Sequence, residues 1–233
     1  LNQVEEELFI PMKSSYEYLK EDMELLSYVT RDDMLYVILE DDLYQIDIKQ
    51  KSFQIVKEKL IKDRYVVSKS QASLAWMDQE EENACTQITV MSLEQGDTYT
   101  IQAQSGQKIK ALGFMNEDLI YGLASEGNLN PDQNGNRTFA MDSIRIEGFD
   151  GTVKKEYQES GEYLTNVDIS PTLMTLEISR KSGNSYQPVR KDNVMNNKKV
   201  SAKKVEVELL TSSRQGIQIR LAFEEPINNK DPL

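Results

Sequence analysis

Apolar and polar residues alternate with a period of two along most of this chain, in short runs separated by polar turns. The clearest example lies between Ser68 and Ile101, where three such runs follow one another and the turn Glu94-Gln-Gly-Asp97 separates the last two. Period-two alternation is typical of β-strands with one buried face, and a Gly-containing turn between two such runs predicts a hairpin. We therefore interpret this stretch as one antiparallel β module.

Variants of this module recur before and after it. Each has a second strand that begins at a leucine, and these leucines are spaced about 40 to 55 residues apart. They are Leu35, Leu74, Leu119 and Leu173. Polar insertions at 78–83 and 125–138 lengthen the later intervals. Repeats of this length with several strands each are typical of β-propeller blades.

The repeats predict an all-β protein: a β-propeller-like stack of antiparallel three- to four-stranded blades in a single domain over residues 1–233. The predicted blades span about 25–60, 65–104, 109–160 and 164–225. Because many propellers have more than four blades, we expect a partial ring and a chain that is a fragment of a larger one. A sheet cannot bury both faces alone, so Trp76, Phe114 and Tyr121 are predicted to anchor one blade on the next.

The first 27 residues fit the repeat less well. Acidic residues followed by Leu8-Phe9-Ile10 predict a strand at 4–12 that pairs with a distant segment. Ser14 with Glu17 fits a capping box, which predicts a helix over 14–27. The residues that would share one face of this helix are Tyr16, Leu19, Met23 and Leu26. The neighbouring period-two segments favour a strand instead, so both interpretations stay open.

The composition is that of a packed globular protein, with 39% hydrophobic and 28% charged residues. A net charge of −12 disfavours nucleic acid as a partner, because Lys and Arg must neutralise its phosphates. The short lysine patch at 198–204 is interpreted as a solvated hairpin end. No apolar run approaches the roughly 20 residues of a membrane-spanning helix. The single cysteine, Cys85, excludes an internal disulfide and is predicted to be a buried or half-buried bystander.

The chain has no histidine. This excludes Ser-His-Asp and Cys-His catalysis and the histidine-containing zinc and iron sites. Paired carboxylates remain, and they occur at predicted turns: Asp32-Asp33, Asp41-Asp42, 80–82 and Glu117-Asp118. Acidic residues in polar turns are usually solvated caps, so we predict no enzyme. A carboxylate-dependent glycan-active enzyme, or an accessory domain of one, is the alternative.

The most specific local pattern is Asn-Pro-Asp-Gln-Asn-Gly-Asn at 130–136. Oxygen-bearing side chains alternate and a Gly holds the sixth position, as in a calcium-binding loop. The run departs from that loop because it begins with Asn and has Met141 where a bidentate Glu is expected. Asn, Asp and Gly are also the residues that favour an ordinary turn without any metal. Calcium is the one cofactor predicted, with the ligands Asn130, Asp132, Asn134 and Asn136.

The segment 167–179, Val-Asp-Ile-Ser-Pro-Thr-Leu-Met-Thr-Leu-Glu-Ile-Ser, resembles the repeat of bacterial TolB-like propellers and of the dipeptidyl-peptidase IV propeller domain. In that repeat a hydrophobic-Ser-Pro-Asp-Gly turn precedes a strand, and a later strand ends in a turn followed by a Gly. Such endings recur at 90–96 and 146–151, so the resemblance covers about 25–186. Thr172-Leu173 stands where Asp-Gly is usual, and the missing histidine removes peptidase activity from what the resemblance implies.

We expect a non-catalytic binding module that contacts a protein or glycan through its blade loops, above all the insertion 125–138 and the acidic tips. The resemblance implies an exported bacterial protein, held outside the cytoplasm at the cell surface as a lipoprotein.

Overall fold

The computed structural model describes residues 8–77, 85–132, 134–196, 201–212 and 216–224. These residues form one α-helix, α1 (Tyr16–Leu25), and seventeen strands. Sheet A contains β1 (Ser27–Val29), β2 (Met34–Leu39), β3 (Asp42–Asp47) and β4 (Ser52–Lys57). Sheet B contains β5 (Tyr65–Val67), β6 (Ser73–Met77), β7 (Gln87–Ser92) and β8 (Thr98–Gln102). Sheet C contains β9 (Gln107–Met115), β10 (Asp118–Ser125), β11 (Ser143–Glu147) and β12 (Val153–Gln158). Sheet D contains β13 (Tyr163–Ile169), β14 (Leu173–Ser182) and β15 (Ser185–Met195), and a separate hairpin contains β16 (Val205–Ser212) and β17 (Gly216–Phe223).

Every pairing between these strands is antiparallel, and sequential strands are neighbours in each sheet. The prediction of an all-β protein built from successive three- and four-stranded antiparallel blades is therefore confirmed. The stretch 164–225, predicted as one blade, instead forms two sheets, because the ladder ends after β15 and the hairpin pairs only within itself in the described residues.

The chain divides into two compact units, Leu1–Ile61 with Lys203–Leu233, and Lys62–Ala202. The first unit contains α1, sheet A and the hairpin, and the second contains sheets B, C and D. The single domain over 1–233 stays a prediction.

In the first unit the helix interpretation of 14–27 is the observed one. Ser15, one residue later than expected, is the N-cap, and its Oγ accepts the Tyr18 N–H at 3.4 Å. Leu19 and Met23 pack against the core of sheet A. Burial of this helical face outweighs the period-two context of the neighbours.

The strand predicted at 4–12 is not observed over 8–12, which has no regular secondary structure. Ile10 and Met12 pack against the same core of sheet A. Apolar contact with sheet A replaces strand pairing there. Residues 4–7 lie outside the described residues.

In the second unit sheet C is packed between sheets B and D. Alternate residues of β10 point to opposite sides, because side chains alternate along a strand. Leu119 and Tyr121 belong to the core shared with sheet B, whereas Ile120 belongs to the core shared with sheet D. Of the predicted anchors, Tyr121 is buried and Phe114 packs against the same core, while Trp76 is buried in sheet B.

A side-chain hydroxyl closes the turn between the first and second strands in three sheets. Thr30 Oγ1 accepts the Met34 N–H at 3.1 Å, and Ser170 Oγ accepts the Leu173 N–H at 3.0 Å. Ser68 does the same in sheet B, as described below. The same side-chain bond to the backbone therefore recurs at the start of these three turns.

Candidate functional site

The long polar insertion leaves sheet C between β10 and β11 and begins with a short 3-10 helix, Glu126–Asn128. Its base is held by the Asp142 carboxylate, which accepts hydrogen bonds from the N–H and Oγ of Ser125 at 2.5 and 2.7 Å. The same carboxylate accepts Asn128 Nδ2 at 2.7 Å. Charge-assisted bonds of this kind are about twice as strong as neutral ones, so the start of the insertion is well anchored.

The hairpin end of β14 and β15 holds the insertion from the other side. Lys181 Nζ donates to the Gly127 carbonyl and to Asn128 Oδ1, both at 3.0 Å. The Tyr186 hydroxyl donates to the Asn128 carbonyl at 3.0 Å, and Asn128 is only 8% exposed. We call residues 126–138 together with 181–186 the loop platform.

The aromatic ring of Tyr186 is itself in contact on two sides. Lys181 Nζ lies 5.7 Å from its centroid, and the ring of Tyr163 packs edge-on with centroids 5.3 Å apart. Burial raises the pKa of the Tyr186 hydroxyl to about 12, and nearby Tyr163 and Asp142 contribute. The hydroxyl therefore stays protonated at neutral pH and remains a donor to Asn128.

The predicted calcium ligands lie in the largely exposed part of the platform, 130–137, which we call its exposed arc. Hydrogen-bond donors of the same loop already approach the carboxylate of Asp132. Asp132 Oδ1 accepts the N–H groups of Asn134 and Asn136 at 2.8 and 2.9 Å, and Asp132 Oδ2 accepts Asn136 Nδ2 at 3.3 Å. These bonds, led by the Asn136 N–H, lower the pKa of Asp132. Asn130 Nδ2 donates to the Gly127 carbonyl at 3.3 Å. Asp132 thus closes the turn with its own carboxylate.

No group of three or more Asp, Glu or Cys side chains that could hold a metal ion is found in the described residues. A calcium site in this loop would depend on amide oxygens beside Asp132. It stays a prediction.

Two of the predicted carboxylate pairs lie in turns of sheet A. Asp33 forms an ion pair of 2.9 Å with Lys49, next to the exposed Asp32. Both oxygens of Asp41 lie 3.1 Å from the hydroxyl of Tyr18. These carboxylates link neighbouring segments of their own unit.

Asp42 and Asp118, two further members of the predicted carboxylate pairs, also bind groups of their own unit. Asp42 Oδ1 accepts the Lys59 N–H at 2.9 Å, and Asp118 pairs with Lys154 at 2.5 Å. The acidic run 80–82 lies outside the described residues. Cys85 is buried, as predicted, and its Sγ donates to a backbone carbonyl.

Sequence reasoning missed the partners of Glu117. Its two carboxylate oxygens accept the hydroxyls of Ser70 and Ser73 at 2.5 and 2.7 Å. Ser68 Oγ lies 3.1 Å from Ser70 Oγ and accepts the Ser73 N–H at 3.1 Å. All three serines are buried. The signal was present as three serines within 68–73, but nothing local indicates which carboxylate they meet.

Sequence reasoning also missed a buried pair in the core between sheets B and C. The Tyr121 hydroxyl donates to Glu147 Oε2 at 2.7 Å, and these residues are 1% and 6% exposed. Burial, reinforced by Glu147, raises the pKa of Tyr121 well above its usual value. Tyr121 therefore keeps its proton and satisfies a carboxylate oxygen in the core.

No helix in the described part of the chain is long and apolar enough to span a membrane. Neither the family models nor the curated proteins contain a match to this sequence.

Solved structures similar to the chain include β-propellers, all at low identity. The RRP9 WD40 repeats are 10% identical, with a TM-score of 0.35 over 70% of this chain and 50% of that one. The β-propeller domain of the Trilobed protease from Pyrococcus furiosus is 13% identical, with a TM-score of 0.37 over 86% and 69%. Dipeptidyl peptidase 4 of Porphyromonas gingivalis is 6% identical, with a TM-score of 0.23 over 85% and 43%. The chain thus spans half the length of the RRP9 structure, and these likenesses carry no argument about activity or partners.

Proposed function

We propose that the chain is a non-catalytic binding module that contacts another protein through the loop platform. The observation that carries this proposal is the anchoring of Asn128 between Asp142, Lys181 and Tyr186. An exposed loop held in this way loses little conformational entropy when a partner binds, which favours affinity.

The side chains of the platform support a protein partner over a glycan. Its exposed residues combine amides with the cationic Arg137 and the acidic Glu126, as the polar parts of protein interfaces do. A glycan site would be expected in a concave, aromatic-lined pocket, whereas the ring of Tyr186 is in contact with Lys181 and Tyr163.

The enzyme alternative gains no support from the observed carboxylates. The pairs at Asp41-Asp42 and Glu117-Asp118 bind hydroxyl, backbone N–H or ammonium groups of their own unit. We further propose an exported bacterial protein attached at the cell surface, on the sequence resemblance of 167–179 alone.

The proposal is tested with Arg137→Glu, which reverses a charge on the exposed arc. Lys155→Glu makes the same change on the exposed strand β12 and is the matched control. Proteins from the cells that make this chain are captured on each immobilised variant, and the captured protein is purified for titration.

We expect the control to bind as tightly as the unchanged chain, and Arg137→Glu to weaken binding at least about tenfold, as for a central interface charge. Equal dissociation constants for the two variants would contradict the proposal that the partner binds at the loop platform. Binding to a glycan array without any protein partner would contradict the class of partner.

A further inference from the structure

The exposed arc of the loop platform contains the chain's one Asn-Gly pair, Asn134-Gly135. Both residues are exposed. In such a pair the backbone nitrogen of the glycine can attack the side-chain amide of the asparagine, because glycine has no Cβ to obstruct the approach. A Cβ at position 135 would meet no other atom within 4 Å, so the space on that side of the backbone is open. The surroundings of the pair therefore permit this reaction.

The side chain of Asn134 differs from those of the other asparagines in the platform. Their side-chain amides each donate a hydrogen bond, to Asp142, to the Gly127 carbonyl, to Asp132 or to the Pro131 carbonyl, from Asn128, Asn130, Asn136 and Asn184 respectively. Within the part of the chain that the structure describes, no such bond is found for the side chain of Asn134. Its amide can therefore turn toward the Gly135 nitrogen without breaking a hydrogen bond.

The backbone on both sides of the pair is restrained by Asp132. Its Oδ1 accepts the N–H groups of Asn134 and Asn136 at 2.8 and 2.9 Å. Its carbonyl accepts the Gly135 N–H at 3.0 Å. The Gly135 nitrogen must give up this hydrogen bond and its proton before it can attack, so the Asp132 contacts oppose the reaction.

We propose that Asn134 is the site of spontaneous deamidation in this chain and that Asp132 limits its rate. The Gly135 nitrogen forms a bond to Cγ of Asn134, and the bond between Cγ and Nδ2 breaks. The side-chain amino group leaves as ammonia together with the proton of the Gly135 N–H. Water then opens the cyclic succinimide at either of its carbonyls, which yields aspartate or isoaspartate at position 134.

Both products change the exposed arc. Each adds a negative charge beside the carboxylate of Asp132. Isoaspartate also adds a methylene group to the backbone between the two N–H groups that Asp132 Oδ1 accepts, so the spacing of these donors changes. The arc of an aged molecule therefore differs in charge and shape from that of a new one, and no enzyme is required.

Incubation of the full chain in mildly alkaline buffer tests the site. The folded chain is compared with the same chain unfolded in guanidinium chloride, and peptide mass spectrometry measures aspartate and isoaspartate at every asparagine. We expect acid at position 134 before any other asparagine, and more slowly in the folded chain than in the unfolded one. Asn134→Gln is expected to abolish the early product, because its longer side chain would have to form a larger ring.

Variants of Asp132 test the restraint. We expect Asp132→Ala to deamidate about two- to tenfold faster than the unchanged folded chain, the range that the net contribution of one hydrogen bond implies. Asp132→Asn keeps an acceptor oxygen and is expected to react more slowly than Asp132→Ala. Glu126→Ala is the matched control, because it removes another exposed carboxylate of the platform, one that pairs with Lys108, and it should leave the rate unchanged.

Thermal unfolding of each variant establishes that the rates are those of folded chains. Acid that appears first at another asparagine, equal rates in the folded and unfolded chain, or equal rates in Asp132→Ala and the unchanged chain would overturn the proposal. So would a folded chain that stays intact at position 134 while the unfolded chain reacts completely. The proposal does not rest on the proposed function, since no binding partner takes part in the reaction.

Discussion

Ser73 Oγ donates a hydrogen bond of 2.7 Å to Glu117 Oε2, across 44 residues of sequence. Ser70 Oγ binds the other carboxylate oxygen at 2.5 Å, so one side chain joins the first turn of sheet B to the first turn of sheet C. Because both serines are buried, loss of the carboxylate leaves two hydroxyl groups without this acceptor.

Replacing Glu117 by Ala is expected to lower the free energy of unfolding by about 2 to 4 kcal/mol, since hydrogen bonds to charged groups contribute about 1.5 to 3 kcal/mol each and are not additive. Glu126→Ala is the matched control. Glu126 is exposed, and its side chain forms a surface ion pair with Lys108, a kind of contact that contributes about 0 to 1 kcal/mol. Urea unfolding of the two variants measures the difference, and equal losses would show that the serines do not depend on Glu117.

Stability is expected to fall as the pH rises above about 10, the ordinary pKa of tyrosine. Burial and the Glu147 carboxylate raise the pKa of Tyr121, and burial also raises that of Tyr99. Below pH of about 10 both states keep the phenol proton; above it the unfolded chain loses the proton first, so unfolding becomes more favourable.

Urea unfolding between about pH 8 and 11 measures this slope. Tyr121→Phe should make it shallower, because one of the groups that bind a proton more tightly in the folded state is gone. Removal of the exposed Tyr16 hydroxyl is the matched control. If the unfolding free energy of Tyr121→Phe has the same pH slope as that of the unchanged chain, the raised pKa of Tyr121 beside Glu147 is contradicted.

Gly122 is packed against the buried side chain of Met141. A Cβ at position 122 would lie 2.6 Å from Met141 Cγ and closer still to its sulfur. Gly122→Ala is therefore expected to cost about 1 to 3 kcal/mol through overpacking. Gly127→Ala, where a Cβ meets no atom within 4 Å, is the control. Adding Met141→Val to Gly122→Ala should recover part of the lost stability. If thermal unfolding shows that the effects of the two substitutions simply add, the clash between residues 122 and 141 is contradicted.

Asn128 is expected to control the order of the loop platform. Asn128→Ala removes its amide bonds to Asp142 and Lys181. Amide hydrogen exchange should therefore accelerate in 125–138 and 181–186, with little change in the cores of sheets B and C. Tyr157→Phe, which removes a hydroxyl bonded to Asp192 away from the platform, is the control. Uniform acceleration over the whole unit would contradict a local role.

Calcium binding to the 130–136 loop would compete with the hydrogen bonds that the Asp132 carboxylate already accepts. We therefore expect weak binding, with a dissociation constant on the order of 10⁻³ M, as in extracellular calcium modules. Thermal unfolding should shift upward with added Ca²⁺ and not with Mg²⁺, and Asp132→Ala should abolish the shift. The absence of any shift at millimolar Ca²⁺ would end the calcium prediction.

Period-two alternation predicted β10 and its neighbours because burial of alternate side chains is a local property of the chain. The same rule favoured a strand over 14–27, where the capping pattern had left a helix open and Ser15 caps a helix whose apolar face packs on sheet A. It also merged sheet D with the later hairpin, since a ladder ends where no partner strand is in reach, which alternation does not record.

The sequence by itself determined the strands and turns of sheets A, B and C, and it excluded histidine chemistry. Only the tertiary structure decided which polar groups meet: Glu117 with two serines, Glu147 with Tyr121, and Asn128 with Lys181 and Tyr186. These partners lie 26 to 58 residues apart along the chain. Their contacts follow from the packing of one sheet on the next, which no short-range pattern encodes.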